Sequence, residues 1–579
     1  MKCWAAILFV FLTACMTTTT TRPHDSLQKI GDDVWMYWLD RDISLRMKFG
    51  LPIEHLPDIT FAEAQRDADF ARTILKRLDA VQPANEEERL TAAILRWSGQ
   101  RSIDAVPLFW YRFPVTPYRT PLFAVHNALT RMKLDTADAV RRYDRLLDEM
   151  PRFANDTLDI LREQERRGIR LPKDEIATVR GMLASFDKLP DQSPFALNES
   201  RLAQLEPQQR ERAISATRDR IAQAVNPSFK HLLAHFDDDY AAQAPAGIGL
   251  GQYPGGAEAY RAFVREETTT NLTPEAIHEL GLHEIARIDR QLDAIRQEVG
   301  FSGSLAEFRR FLKTDIRFFA TTPEEVASRL MSHVRRIEPQ VPRFFARTPK
   351  APYGVKRLDP ELEEGTTFGY YQVPTAADPV GTYYFNGSKL SERNLLFAAA
   401  LIAHELVPGH HFQIARQEEN ESLPPFRREM SETAYVEGWG EYAAYLATEM
   451  DLYQDPYDRA GRLMMDAMLS TRLVVDTGMN ALGWPRRRAM EYMRENTMLS
   501  ETEIATETLR YAVDIPAQAL AYKIGSLKMI ELRALAQREL GARFDVRRFH
   551  EWIIGSGSLP LPLLEEHVRH EMNASASSK

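Results

Sequence analysis

From about Ile30 to Asp237, apolar residues return at intervals of three and four, with charged residues between them. That period places the apolar positions on one face of a helix. Phe61 to Ala80, Glu86 to Trp97, Ala137 to Met150 and Pro207 to Ala224 read as long amphipathic helices, and Pro83, Pro151, Pro172 and Pro190 mark breaks. There is no repeat of fixed period. The pattern stops at Ile248-Gly249-Leu250-Gly251-Gln252-Tyr253-Pro254-Gly255-Gly256. This run lacks the Gly-Lys-Ser/Thr ending of a phosphate loop, and it reads as a loop opening the second half. Helical spacing resumes at Leu272-Thr273-Pro274-Glu275, with Thr273 as N-cap and Pro274 at the first helical position, and runs to about Val299.

From Tyr353 to Phe385 the period changes. Thr366 to Val373 and Gly381 to Asn386 are β-branched and aromatic, bounded by Gly, Pro and Asn, which suits two or three short strands. A sheet there is either a structural hairpin or an edge for an extended peptide. Next, Ser391 can cap a helix through Leu395, Ala399 and Ile402 into His404, and Ser431 to Met450 reads as another helix. The fold class is therefore mainly α, with a small β-sheet next to the helix that carries His404. Residues 30–240 form an N-terminal helical region and 241–579 a second region.

A chain of 579 residues can bury a large core. Its 44% apolar and 27% charged content is ordinary for a soluble globular protein, and a formal charge of −9 argues against a nucleic-acid partner. Both cysteines lie in the first fifteen residues, so the body holds no disulfide and no cysteine metal site. Met1-Lys2, the apolar run Trp4 to Leu12 and the ending Leu12-Thr13-Ala14-Cys15 form a charged start, a short hydrophobic region and a small-residue cleavage site. This resembles a bacterial lipoprotein signal over residues 1–15, with Cys15 as the lipidated residue. Residues 16–29 read as a flexible tether. Met16, rather than Asp, after Cys15 is similar to the pattern that sends lipoproteins to the outer membrane facing the periplasm.

The chemistry concentrates in His404-Glu405-Leu406-Val407-Pro408-Gly409-His410-His411. Two His four apart on one helix, with Glu after the first, make a zinc hydrolase site. Here position 408 is Pro, whose ring clashes with the carbonyl of His404, so a bend or bulge is expected just after the first ligand. If Val407-Pro408 act as an insertion, His410 becomes the second ligand. His411 is the rival, on the same face of an unbroken helix but about 10.5 Å further along. Glu437 and Glu441 share one face of the following helix, among Tyr435, Trp439, Tyr442 and Tyr445. Glu437, beside Gly438, can complete the ligand set of one Zn²⁺, and Glu441 can accept the outer N–H of a ligand His. Two other histidine patterns are weaker. His231 and His235 sit four apart on a helix but with no Glu beside them, and His283-Glu284 has Arg287 where the second His belongs.

On these motifs the chain resembles the bacterial domain-of-unknown-function family numbered 885, whose hallmark is similar to His-Glu-x-x-Pro-Gly-His-His followed by a Glu-Gly-Trp segment, here Glu437-Gly438-Trp439. The similarity also covers Gly255 to Leu280, Gly381 to Asn386, Arg472 to Trp484 and Ala519 to Leu564. More distantly the chain is similar to the helical zinc peptidases of the angiotensin-converting enzyme, oligopeptidase and carboxypeptidase Taq groups. That resemblance implies a large helical zincin-like fold, and a downstream tyrosine that donates to the oxyanion. Tyr522 is the candidate, with a core aromatic as the plainer reading. His550 is a candidate for gripping substrate or a structural histidine. Asn480 stands where many relatives have His, which puts a substrate contact there in doubt.

The expected activity is metal-assisted hydrolysis of peptides in the cell envelope. Zinc polarises a carbonyl and acidifies water towards a pKa of about 7. Glu405 takes the proton and passes it to the leaving amine. One alternative is an amidohydrolase on cell-wall or other non-peptide amides. Another is a catalytically silent binding lipoprotein, against which the intact Glu405 argues.

Overall fold

Local capping decides where most helices begin. Thr60, Asn85 and Thr136 each accept a hydrogen bond from the backbone N–H three residues on, opening helices Phe61–Leu78, Glu86–Ala105 and Ala137–Asp148. The computed structural model describes residues 26–577 except 119, 361–362, 364–367 and 376–377. Cys15, most of the expected tether, and Thr366 and Thr367 lie outside the described residues. Residues 27–29 of the expected tether are helical, because Ser26 caps a helix that starts at Leu27. Nor does the helix from Pro207 stop at Ala224: it passes through a π turn, Ile221–Val225, into Asn226–His235.

Described residues are mainly helical. The helices that carry the site are numbered in chain order: α1 Pro274–Glu298, α2 Ala398–Glu405, α3 His410–Glu418, α4 Thr433–Leu446, α5 Pro456–Asn480, α6 Ala521–Leu540 and α7 Val546–Ile554. Helix α1 starts as its sequence requires, with Thr273 accepting from the N–H of Ala276. Three strands, β1 Tyr353–Arg357, β2 Gly369–Gln372 and β3 Gly381–Phe385, form one sheet in the order β1-β3-β2. β1 runs parallel to β3 and β2 antiparallel to it, with Tyr371 opposite Tyr383.

One apolar cluster runs from Ile30 to Met572, so the core is continuous across the division at 240/241. Asn480 helps to join the two sides. Fully buried, it accepts from the N–H of Leu250 in the glycine-rich loop and donates to the carbonyls of Asp476 and Tyr511. These bonds make it a scaffold residue.

Helix α4 is buried nearly all round, and α6 and α2 pack on it. The crossing with α6 is close enough that a Cβ on Gly438 would stand 2.6 Å from the Gly525 backbone, and one on Gly525 would stand 1.8 Å from the Ala434 carbonyl. Two glycines therefore set the spacing that brings the start of α6 to α2 and α4.

Candidate metal centre

Ser391 does not cap α2. It lies in a separate turn, Leu390–Glu392. The next residues are tied elsewhere: Asn394 donates to the carbonyls of Leu312 and Lys313, and Leu395 N–H donates to Phe318. The helix therefore starts only at Ala398 and puts His404 in its last turn. After Glu405 the helix does not bend but ends, and α3 begins at His410. The intervening Val407–Pro408 peptide is cis. Pro408 has no N–H to continue the ladder, and a Cβ on Gly409 would lie 1.7 Å from the His404 carbonyl oxygen. The chain folds back so tightly over His404 that only glycine fits. Trp439 holds this turn from α4, its indole N–H donating to the carbonyls of Pro408 (3.0 Å) and Gly409 (3.1 Å).

The turn brings His410 back to His404, with ring centroids 4.6 Å apart and planes at 83°. Glu437 Oε2 stands 3.5 Å from His404 Nε2 and 3.4 Å from His410 Nε2. All three donor atoms lie within 4.8 Å of one another. A zinc ion about 2.0–2.1 Å from each donor needs corners about 3.3 Å apart, so this set fits one tetrahedral ion with a position to spare. Both histidines are buried, and among the described residues the Nδ1 atoms of both lack a hydrogen-bond partner.

Charge in the cluster is ordered. Burial pushes His404 down to about 4, leaving it neutral at pH 7 as a ligand must be. Burial also disfavours the His410 cation, but bonding to Glu437 outweighs it and raises this histidine. Burial opposes the charge of Glu437, yet bonds from both histidines hold it well below the usual carboxylate range. Glu405, at the end of α2, is pushed up to about 7 by burial, against the field of His410 and with that of Glu437.

Glu441 lies one turn beyond Glu437, with Oε2 4.0 Å from His404 Nδ1, an ion-pair distance rather than a hydrogen bond. Arg462 of α5 holds its other oxygen at 2.7 Å. Behind it Lys523 bridges Asp466 (2.5 Å) and Glu284 (2.8 Å), and Arg287 pairs with the same two carboxylates. Sequence reading missed this buried network. The signal was Arg462 and Asp466, four apart in an otherwise apolar stretch of α5. Gly440, also on α4, faces His404; a Cβ there would meet its ring at 2.8 Å. Tyr522, at the start of α6, places its ring 6.3 Å from that of His404 and nearly parallel to it, at 17°. Burial, then the charge of Glu437, raises its hydroxyl.

His411 and His550 are not brought to the cluster, and neither stands as a rival ligand or substrate contact. Both rings are fully buried with both nitrogens bonded to protein. His411 bonds the Tyr371 hydroxyl at 2.9 Å and the Ala351 carbonyl at 3.0 Å, pinning α3 to the sheet. His550, on α7, bonds the Phe344 carbonyl at 2.8 Å and the Tyr442 hydroxyl at 2.9 Å, against Trp439. His283 and His231 face solvent, and His235 pairs with Glu165 at 3.0 Å. Gly438 serves the α4–α6 crossing rather than approach to the metal. A separate cavity of about 720 Å³ opens among the N-terminal helices, beside Trp38, Leu56 and Phe70, and includes none of the site residues.

The profile of a family described as bacterial protein of unknown function (DUF885) matches residues 45–568. A solved structure of a candidate lipoprotein from Colwellia psychrerythraea is 23% identical, covering 95% of this chain and 100% of its own, with a TM-score of 0.86. A second, of a candidate lipoprotein of unknown function from Shewanella oneidensis, is 15% identical over 94% of this chain and 99% of its own, with a TM-score of 0.72. At these identities the likeness shows a shared fold. No curated protein matches.

Proposed function

The chain belongs to the DUF885 family of bacterial proteins, and from that premise we propose that it is a zinc-dependent peptidase of the bacterial cell envelope, related in fold to the helical zincin-like peptidases. The observation that carries this is the convergence of one donor atom each from His404, His410 and Glu437 within 4.8 Å, with Glu405 beside the first ligand. When bound there, zinc supplies Lewis acidity, polarising a carbonyl and acidifying water towards a pKa of about 7. Glu405 takes the proton of the attacking water and returns it to the leaving amine. Tyr522, against His404, donates its hydroxyl to the substrate oxygen as negative charge develops. Glu441 and Arg462 orient His404 from behind. Strand β2 is an edge strand tied to α3 through Tyr371 and His411, which suits pairing with an extended peptide beside the metal.

Metal analysis and assay on a mixed peptide library test the reading. Glu405→Gln should keep zinc and lose hydrolysis, and His410→Ala should lose both. Undiminished cleavage by Glu405→Gln would sink the mechanism. The lipoprotein signal at Cys15, and the description of both solved relatives as candidate lipoproteins, support a lipid anchor in the outer membrane. Among the described residues no helix is long and apolar enough to cross a membrane. Cys15→Ser should move the protein from the membrane to the soluble fraction; no change on fractionation rejects the anchor.

A further inference from the structure

The stretch that enters α6 holds backbone strain. Ile515-Pro516-Ala517-Gln518 forms a β-turn in which Gln518 N–H donates to the Ile515 carbonyl at 3.3 Å, and Ala517 sits at φ 71° and ψ −14°. That is the third position of a type II turn, where the left-handed backbone favours glycine and Pro is common just before it. In alanine the Cβ crowds the following carbonyl there. Among the described residues other than glycine, none has a larger positive φ. Ala517 is fully buried and has no polar side chain to hold itself in place, so its surroundings must do so.

Asp476, one turn before the end of α5 and fully buried, is the group that holds it. Ala517 N–H donates to both carboxylate oxygens, at 3.2 and 3.1 Å. The carboxylate is itself fixed from two sides. The Tyr260 hydroxyl, on the helix Gly256–Thr268, donates to Oδ1 at 2.6 Å, and Asn480 Nδ2 donates to the same oxygen at 3.1 Å.

What this turn delivers is Tyr522. A 3₁₀ turn, Gln518–Leu520, follows directly, with Leu520 N–H donating to the Ala517 carbonyl at 3.1 Å, and it runs without a break into α6 at Ala521. The Gly438–Gly525 crossing fixes where α6 lies against α4. It does not fix how the chain enters the helix, and Tyr522 is the second residue of α6. Its ring lies 6.3 Å from that of His404, at 17°. Every residue between Ala517 and Tyr522 belongs to this hydrogen-bonded run, so a change of φ at Ala517 swings that ring relative to His404.

We propose that Asp476 is the positioning residue for Tyr522: by holding Ala517 in the left-handed backbone it sets the entry of α6, and with it the phenol that faces the metal centre. The catalytic consequence rests on the peptidase reading above; the geometric one does not.

The test asks whether a residue that needs no holding makes Asp476 dispensable. Asp476→Asn keeps the size of the side chain but turns an N–H₂ towards at least one of its donors. In the zinc-loaded protein, kcat on a peptide that the wild type cleaves should fall about 10–100-fold, with zinc content and KM little changed. Adding Ala517→Gly, which takes up the positive φ unaided, should restore most of that loss, a coupling between the two sites that a general core support would not show. Crystal structures should show the Tyr522 ring displaced from His404 in Asp476→Asn and returned to it in the double variant. Wild-type kcat in Asp476→Asn, or a loss that Ala517→Gly does not recover, overturns the positioning role. Should Asp476→Asn fail to fold, Tyr260→Phe takes its place, because it removes one support of the carboxylate and keeps the ring. There kcat should fall about threefold or more and Ala517→Gly should recover it; failure of either overturns the positioning role. A ring that moves and returns as expected, in a protein that hydrolyses no peptide, keeps the positioning role and overturns the peptidase reading. A ring that stays in place in every variant, in a protein that hydrolyses peptides, overturns the positioning role and leaves the peptidase reading standing.

Discussion

The dipeptide His-Glu occurs five times in the chain, and two of its occurrences, His283-Glu284 on α1 and His404-Glu405 on α2, have opposite fates. On α1, His283 faces solvent while Glu284 turns inward to Arg287 and Lys523. At the end of α2, His404 turns inward to a second histidine and a glutamate. Helix α1 continues unbroken for 25 residues, so position four past His283 is another helical side chain, Arg287. Helix α2 stops at Glu405, and the turn through Pro408 and Gly409 returns the chain to the first ligand. The lesson is that His-Glu gains a metal geometry only where the backbone leaves the helix and a neighbouring helix supplies the third donor. Glu284 is still tied towards the centre: it shares Lys523 with Asp466, whose charge acts on Arg462, the partner of Glu441 behind His404.

The sharpest way to break the comparison is Gly409→Ala. Its Cβ would strike the carbonyls of His404 and Ala403, so the turn must reopen. Loss of zinc, and destabilisation by about 3 kcal/mol or more, are expected by metal analysis and denaturant titration. Zinc binding at wild-type affinity would show that the turn is not what builds the site. A smaller effect is expected from Glu441→Gln, which leaves all three donors but removes the charge behind His404; zinc affinity should fall about 10–100-fold in a chelator competition.

His550 tests whether a histidine outside the cluster is scaffold. Burial holds it down at about 3, below the ordinary value of about 6.5. The neutral ring therefore adds stability that is fully present above pH 6.5 and is lost as the pH falls from 6.5 towards 3. Thermal unfolding of His550→Phe should depend less on pH across that window than wild type; equal slopes reject the assignment. The smallest effect belongs to His283→Ala. Zinc content and unfolding should match wild type within about 0.5 kcal/mol, and a loss of zinc would mean that the α1 dipeptide takes part after all.

Much of this was legible from residue order. Spacing along two helices, with Pro408 and Gly409, put forward His404, Glu437 and one of His410 and His411 as the set, with Glu441 behind them; Glu441 stands 4.0 Å from His404 Nδ1 and does not accept its N–H. The amphipathic helices and the start of α1 at Thr273 followed from apolar period and capping, because those effects act within a few residues. Spacing failed where long-range contacts compete with local ones. Ser391 looked like a cap until Asn394 and Leu395 were seen bonded to 312–318. His411 looked like a ligand until its nitrogens were seen bonded to Tyr371 and Ala351.

By itself the sequence determined which residues carry charge, which can bind a metal, where the helices can start and where one must break. These are properties of side-chain chemistry and of the local backbone. Only the tertiary structure decided which of the two neighbouring histidines turns to Glu437, how the residues from Glu437 to Glu441 divide their roles around α4, and which buried charges share a partner. Each of those depends on the direction of a side chain relative to elements far away in the chain, and close packing between helices, not residue order, sets that direction.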